Sequence, residues 1–236
     1  MSKKTQYKNF AVLTMQVEEV TVKTSKTGTA YATGRGRTSQ GIAFKIMGFK
    51  EAVTSMETGR QNLIGRLSYE EWSDRNGNKH RNLVFLADKV ERIMRHDRDK
   101  NFIQLTLRAF EDGEPRYSKK GSLWTKLRAF LSMGKDQAGK YKSSLFLNVK
   151  SFSKARKAED GTPILDGAGA QLFDETVAAS LAAVDKNALF TVKGQLIQEE
   201  WKGRIYHGII AHQVEVLQPN EAGIGAPEME DLGEPF

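Results

Sequence analysis

Gly65-Arg-Leu-Ser-Tyr-Glu-Glu-Trp72 recurs further along the chain as Gly194-Gln-Leu-Ile-Gln-Glu-Glu-Trp201, with five of eight positions identical. Each copy starts on glycine, alternates apolar and polar residues and ends on tryptophan, the pattern of a half-buried strand running into a hairpin. The neighbourhood repeats in the same order. Gly28 answers to Gly121 after a lysine-bearing turn, Phe49-Lys-Glu-Ala52 to Phe152-Ser-Lys-Ala155, and Ala87-Asp-Lys-Val-Glu91 to Ala211-His-Gln-Val-Glu215. Self-similarity over about 100 residues means two copies of one supersecondary unit.

Turn signals at Thr27-Gly28, Asn76-Gly77, Lys120-Gly121 and Lys202-Gly203 punctuate the alternating segments. They predict strands over 11–20, 29–38, 41–49, 61–73 and 79–93, with a short helix over 50–57. The second copy adds a loop at 153–170, and a helix follows whose Phe173, Val177, Leu181 and Val184 share one face. Five strands with a helix between the third and fourth define an OB barrel, a fold that binds oligonucleotides on a sheet face and its loops. The expected fold is all-β with minor helix: two tandem five-stranded OB barrels over 1–95 and 102–217. A charged linker spans 96–101 and a disordered acidic tail 218–236.

Composition agrees with this division. The 236 residues carry 36 Lys and Arg against 29 Asp and Glu, and five of the acids lie in 218–236, which has no base. The body is therefore +12 and the tail −5, and a basic body favours a polyanionic partner through counterion release. There is no cysteine, so disulfides, Cys-based zinc sites and thiol chemistry are excluded. The four scattered histidines offer no metal-ligand spacing, and neither metal nor cofactor is expected. No apolar run is long enough to span a membrane, and the polar first residues lack a signal-peptide core. A cytoplasmic, non-membrane protein is expected.

Period-two alternation assigns the outward faces. On the second copy's second strand Trp124, Lys126, Arg128 and Phe130 point outward, and on its third strand Phe146, Asn148, Lys150 and Phe152. Its fourth strand turns Lys193, Gln195, Ile197 and Trp201 the same way. The first copy offers Tyr31, Arg35 and Arg37, then Lys45, Met47 and Phe49, then Arg66 and Trp72. Aromatics interleaved with cations suit unpaired nucleic acid, whose bases stack on rings while cations follow the phosphates. The candidate contact set is Tyr31, Arg35, Arg37, Lys45, Phe49, Arg66, Trp72, Trp124, Lys126, Arg128, Phe146, Lys150, Phe152, Lys193 and Trp201. Glu70-Glu71 and Glu199-Glu200 are paired carboxylates, but neighbours on a strand face opposite ways, which makes them solvated hairpin stems. With no phosphate loop, no His-Glu-x-x-His and no nucleophile-base pair, no enzyme activity is expected.

At these residues the chain resembles the bacterial single-stranded DNA-binding protein family. The resemblance rests on Ser25-Lys-Thr-Gly28, Ile46-Met-Gly-Phe49-Lys-Glu-Ala, the Gly65 to Trp72 stretch with its Asn76-Gly77 turn, and Ala87-Asp-Lys-Val90. It implies base-stacking roles for Phe49 and Trp72, with Phe152 and Trp201 as counterparts. A third stacking position of the family falls at Ala43 and at Phe146, so the first barrel has lost one platform. Family members end in an acidic peptide closing on Pro-Phe that recruits replication and repair proteins. The last seven residues, Glu230-Asp-Leu-Gly-Glu-Pro-Phe236, follow that pattern, with Glu234 where the family has isoleucine. By resemblance Asp231, Glu234, Pro235 and Phe236 would dock partners. Most family members have one barrel and form tetramers, which implies a homodimer here, or a monomer if this is a phage or plasmid member. The resemblance also implies roles in replication, recombination and repair, in a host nucleoid or, for a phage protein, in the host cytoplasm. Two alternatives use the same features: an RNA-binding or RNA-chaperone OB protein, and a recombination mediator working mainly through protein docking.

Overall fold

The computed structural model describes residues 8–75, 77, 79–131 and 145–217. The acidic tail, with Asp231, Glu234, Pro235 and Phe236, lies outside the described residues. In the first half β1 (Asn9–Thr24) is long enough to pair twice. Its first part meets β4 (Gly59–Ser73) and its second meets β2 (Ala30–Arg37), with a register shift between Glu18 and Thr21 bending it round the corner. β3 (Ala43–Gly48) continues from β2, and β5 (Lys79–Glu91) pairs antiparallel with β4 and parallel with β3, closing the barrel. A four-residue helix, α1 (Ala52–Ser55), stands between β3 and β4, shorter than the expected 50–57.

The second half repeats this plan with its first strand broken in two. β6 (Asn101–Ala109) pairs with β12 (Leu189–Trp201), and β7 (Glu114–Tyr117) pairs with β8 (Leu123–Leu131). β9 (Leu145–Phe152) runs antiparallel to β8 and parallel to β13 (Arg204–Leu217), which forms the long hairpin with β12. Both halves are OB barrels. The predicted helix is shorter than its apolar stripe: α2 is Thr176–Ala182, and Leu181 and Val184 are buried under it. Phe173 instead belongs to β11 (Phe173–Asp174), which pairs with β10 (Lys154–Ala155). The segment expected as a loop is thus a small ladder. Three backbone bonds tie Arg156, Ile164 and Leu172 together, and the Gln171 side chain reaches carbonyls of all three.

The glycine that opens each copy of the repeated stretch is needed for a close approach. Register shifts fall between Ile64 and Gly65 and between Lys193 and Gly194. A Cβ at Gly65 would collide with the Leu86 carbonyl oxygen, and one at Gly194 with that of Ile210. The bulge lets the paired backbone press onto the strand where only hydrogen fits.

The barrels join through their first strands, making an 11-stranded sheet. β1 and β6 pair antiparallel, Asn9 with Leu105, Ala11 with Ile103 and Leu13 with Asn101. The two outer pairs exchange places under a twofold rotation about the central one, so the barrels are related by a pseudo-twofold axis. Side chains obey it. Asn9 bonds both ways to the backbone of Leu67 (2.9 and 3.0 Å), and Asn101 does the same to Leu196 (2.8 and 2.9 Å). Thr14 Oγ1 accepts from the Lys100 amide (2.7 Å), and Thr106 Oγ1 from that of Lys8 (2.9 Å). These contacts come from a second internal repeat, Lys8-Asn-Phe-Ala-Val-Leu-Thr14 against Lys100-Asn-Phe-Ile-Gln-Leu-Thr106, identical at five of seven positions. Lys100 and Asn101, expected in the linker, therefore take part in the join. One apolar core runs through both barrels, from Leu13, Met15, Ile46 and Phe85 across to Leu105, Leu127 and Phe190, all fully buried. Burying each such side chain contributes about 2 kcal/mol.

Candidate nucleic-acid interface

Each barrel carries the same arrangement on the outer face of its second and third strands. In the first, Tyr31 on β2 and Phe49 at the end of β3 lie nearly parallel, ring centroids 6.4 Å apart at 23°. In the second, Trp124 on β8 and Phe152 on β9 do so at 6.2 Å and 19°. The cations beside these pairs are held by carboxylates in matching ways. Arg35 meets Glu19 at 3.6 Å where the first strand bulges, and Arg128 donates to Glu111 from both its amide and its Nε at 2.9 Å. Lys45 pairs with Glu70 and Lys150 with Glu199, each glutamate coming from the β-hairpin, although the lysines stand one facing pair apart: Lys45 is opposite Arg35 and Lys150 opposite Lys126. The lysine's hydrogen bond, more than that of Asn82, holds the Glu70 carboxyl below the usual carboxylate range. Glu70 and Glu199 are thus not merely solvated stems: each sets a third-strand lysine in place. The exposed pairs, Arg35–Glu19 above all, are worth at most about 1 kcal/mol, so a phosphate can take over such a cation at little cost; Lys150–Glu199 is partly buried.

The barrels differ in one corner. The register position where Phe130 faces Phe146 in the second barrel holds Arg37 and Ala43 in the first. Phe146 is 46% exposed and packs edge-on against Phe110 (5.8 Å) and tilted against Phe130 (6.1 Å), while Arg128 lies over Phe110 at 4.9 Å. Phe130, expected on the outward face, is buried at 7% because Phe146 covers it. Trp124, expected to be open, is half-buried between Phe152 and Arg116, whose guanidinium carbon is 5.3 Å from its ring centroid.

The remaining predicted residues divide into those near this face and those away from it. Trp72 and Trp201 project from the ends of the two long hairpins, 47% and 55% exposed, and Lys202 Nζ sits 4.4 Å over the Trp201 ring. Lys126 lies on β8 between Trp124 and Arg128, paired across to Lys150. Arg66 is on β4, meeting Asp88 at 3.5 Å. Lys193 is the outlier: its register partners are Gln104 and Gln213, which places it toward the join of the barrels. Arg116, Phe110, Glu111, Glu19 and Lys202 belong to the site but not to the predicted set. Four of these five come from the first strand of a barrel, whose split at residues 110–113 hid the counterpart of β1. The signal was available in the paired Lys8 and Lys100 repeats.

His207 on β13 is partly enclosed, and burial pushes its imidazole below the ordinary histidine range. Leu83 holds the equivalent place in the first barrel, since Leu67 pairs with Phe85 as Leu196 does with Ile209. A histidine with a depressed folded value resists protonation only when folded, so its stability is complete above the unfolded value near 6.5 and declines as pH falls through it. The thermal midpoint is expected to drop between pH 7 and 5, and His207→Leu to remove part of that drop. An unchanged slope in the variant would show that other groups carry it.

Wild-type single-stranded DNA binding protein from Thermus aquaticus superposes over 93% of this chain and 98% of its own, with TM-score 0.55 and 15% identity. A deletion mutant of the same protein covers 95% and 99%, with TM-score 0.56 and 15% identity. The two chains share a fold. At that identity the likeness is one of architecture, extending over both barrels and their join. No family model matches the sequence, and no curated protein matches it.

Proposed function

We propose that this chain binds single-stranded DNA without sequence preference, laying it across both barrels, and that it is not an enzyme. The observation that supports this most is the repeated set of parallel ring pair, flanking Arg–Glu and Lys–Glu pairs and hairpin tryptophan, present once per barrel. Rings accept any base, and cations already held in place by exposed carboxylates can exchange them for phosphates. Arg37, Lys126 and Lys193 make no ion pair among the described residues, which leaves them open to the same partner. The proposed division is two domains, the first over 1–95 and the second beginning with β6 at Asn101 instead of 102 and running to 217, with tail 218–236.

Further parts of the proposal rest on the sequence resemblance: protection of single strands in replication, recombination and repair, recruitment of partner proteins through Asp231, Glu234, Pro235 and Phe236, a homodimeric assembly, and a place in the cytoplasm or nucleoid. No helix among the described residues is long and apolar enough to cross a membrane.

A titration with oligo-dT followed by tryptophan fluorescence and light scattering tests the core of the proposal. Strong quenching, affinity that falls steeply with salt, and two chains per particle are expected; no quenching at low salt would reject it. Preference for poly-U over poly-dT would favour the RNA reading. Removing Pro235 and Phe236 should leave the titration unchanged while ending capture of replication proteins, and unchanged capture would reject the docking role.

A further inference from the structure

We infer that Arg116 is a displaceable cap on Trp124, which yields the indole face to an incoming base and then takes the neighbouring phosphate. The inference rests on the single-stranded DNA reading above. Arg116, Trp124 and Phe152 are register partners across β7, β8 and β9, Arg116 opposite Trp124 and Trp124 opposite Phe152. Trp124 is therefore sandwiched. One side carries the Phe152 ring at 6.2 Å and 19°, and the other the Arg116 guanidinium at 5.3 Å.

A base held between two groups makes two contacts of about 3.5 Å each, so it needs about 7 Å between them. Neither gap offers that. A base can stack on Trp124 only if Arg116 leaves, or it must use the outer face of Phe152, which is 49% exposed. Arg116 is the easier of the two to move. Phe152 ends β9, a strand paired on both sides, whereas β7 is a four-residue edge strand exposed throughout its length. Arg116 is held at its far end by Glu114, at 2.7 Å, with both side chains about half exposed. Such a pair adds little stability, and a phosphate accepts the same guanidinium fork as well as a carboxylate does.

Lys23 occupies the corresponding register position in the first barrel, opposite Tyr31. A lysine is a point charge without a planar face. The cap is therefore a property of the second barrel, and the two aromatic pairs admit a base by different routes.

The test uses the full chain with Trp72→Phe and Trp201→Phe, so that Trp124 is the one tryptophan and is excited selectively, with and without Arg116→Ala or Arg116→Lys. In the free protein both substitutions should raise the access of acrylamide to Trp124. On titration with oligo-dT, Arg116→Ala should keep the full quench of Trp124 and lower the slope of log affinity against log salt by about 0.7, one phosphate contact on a single strand. Arg116→Lys should restore the slope but not the protection from acrylamide. An unchanged slope in Arg116→Ala would overturn the inference, because Arg116 would then make no phosphate contact. Loss of the Trp124 quench would overturn it too, because Arg116 would then be holding the indole in place. Failure of the parent chain to bind oligo-dT would instead reject the functional reading.

Discussion

Gly194→Ala is expected to destabilise the chain by about 3 kcal/mol or more, lowering the thermal midpoint by roughly 6–12 °C, and Gly65→Ala to do the same in the other barrel. The reason is contact rather than backbone freedom. The added Cβ meets a carbonyl oxygen of the paired strand, Ile210 in one barrel and Leu86 in the other, at a separation that real side chains do not reach. Those carbonyls belong to the β4–β5 and β12–β13 ladders, with the most extensive pairing in the molecule, so neither side can yield without breaking the hairpin. Gly121→Ala is the control. Gly121 has φ +78° in a turn with open space around it, and alanine there costs only the left-handed backbone, about 1 kcal/mol. Calorimetry of the three variants checks the order; equal losses at Gly121 and Gly194 would mean that the bulge relaxes.

Phe152→Ala and Trp201→Ala are each expected to weaken oligo-dT binding by about tenfold at fixed salt, and together by about a hundredfold. Base stacking on a ring is worth roughly 1–3 kcal/mol by truncation, and 1.4 kcal/mol is a factor of ten. Both side chains are about half exposed, so the variants lose little core and should unfold at nearly the parent temperature. The matching pair in the first barrel, Phe49→Ala and Trp72→Ala, should cost less. There the corner that holds Phe110, Phe130 and Phe146 in the second barrel is Glu18, Arg37 and Ala43, and fewer bases can stack. Affinities from titration of the four variants decide the matter: equal losses in the two barrels would remove the proposed inequality.

Most of the architecture was legible because the strands of an OB barrel are half-buried and must alternate. Leu145, Leu147 and Val149 are buried and Phe146 and Phe152 exposed for that reason alone. Alternation gives a side chain's direction but not what lies over it. Phe130 points outward and is buried by Phe146, and Trp124 points outward beneath Arg116; both coverings come from strands or positions that no period can identify. Charges were harder still. Alternation gives the side of the sheet a cation is on but not the carboxylate that holds it: Glu19 and Glu111 arrive from the preceding segment of the chain, and Glu70 and Glu199 from hairpins 25 and 49 residues away. α2 was overextended because an apolar stripe from Phe173 to Val184 fits helical spacing, while backbone pairing with Ala155 claims Phe173 for a strand.

The pairing of β1 with β6 has a consequence for direction. Two identical barrels related by a twofold axis present the same surface to a thread entering from either end, so they cannot distinguish its polarity. Here the axis relates Phe146 to Ala43 and Arg116 to Lys23, and the symmetry holds for the backbone but not for the side chains that face outward. On the proposed function, a single strand laid 5′ to 3′ from the first barrel to the second would meet its strongest grip last, and one laid the other way would meet it first. Because the halves are joined in one chain, that asymmetry persists on dilution and cannot be averaged away by exchange of subunits.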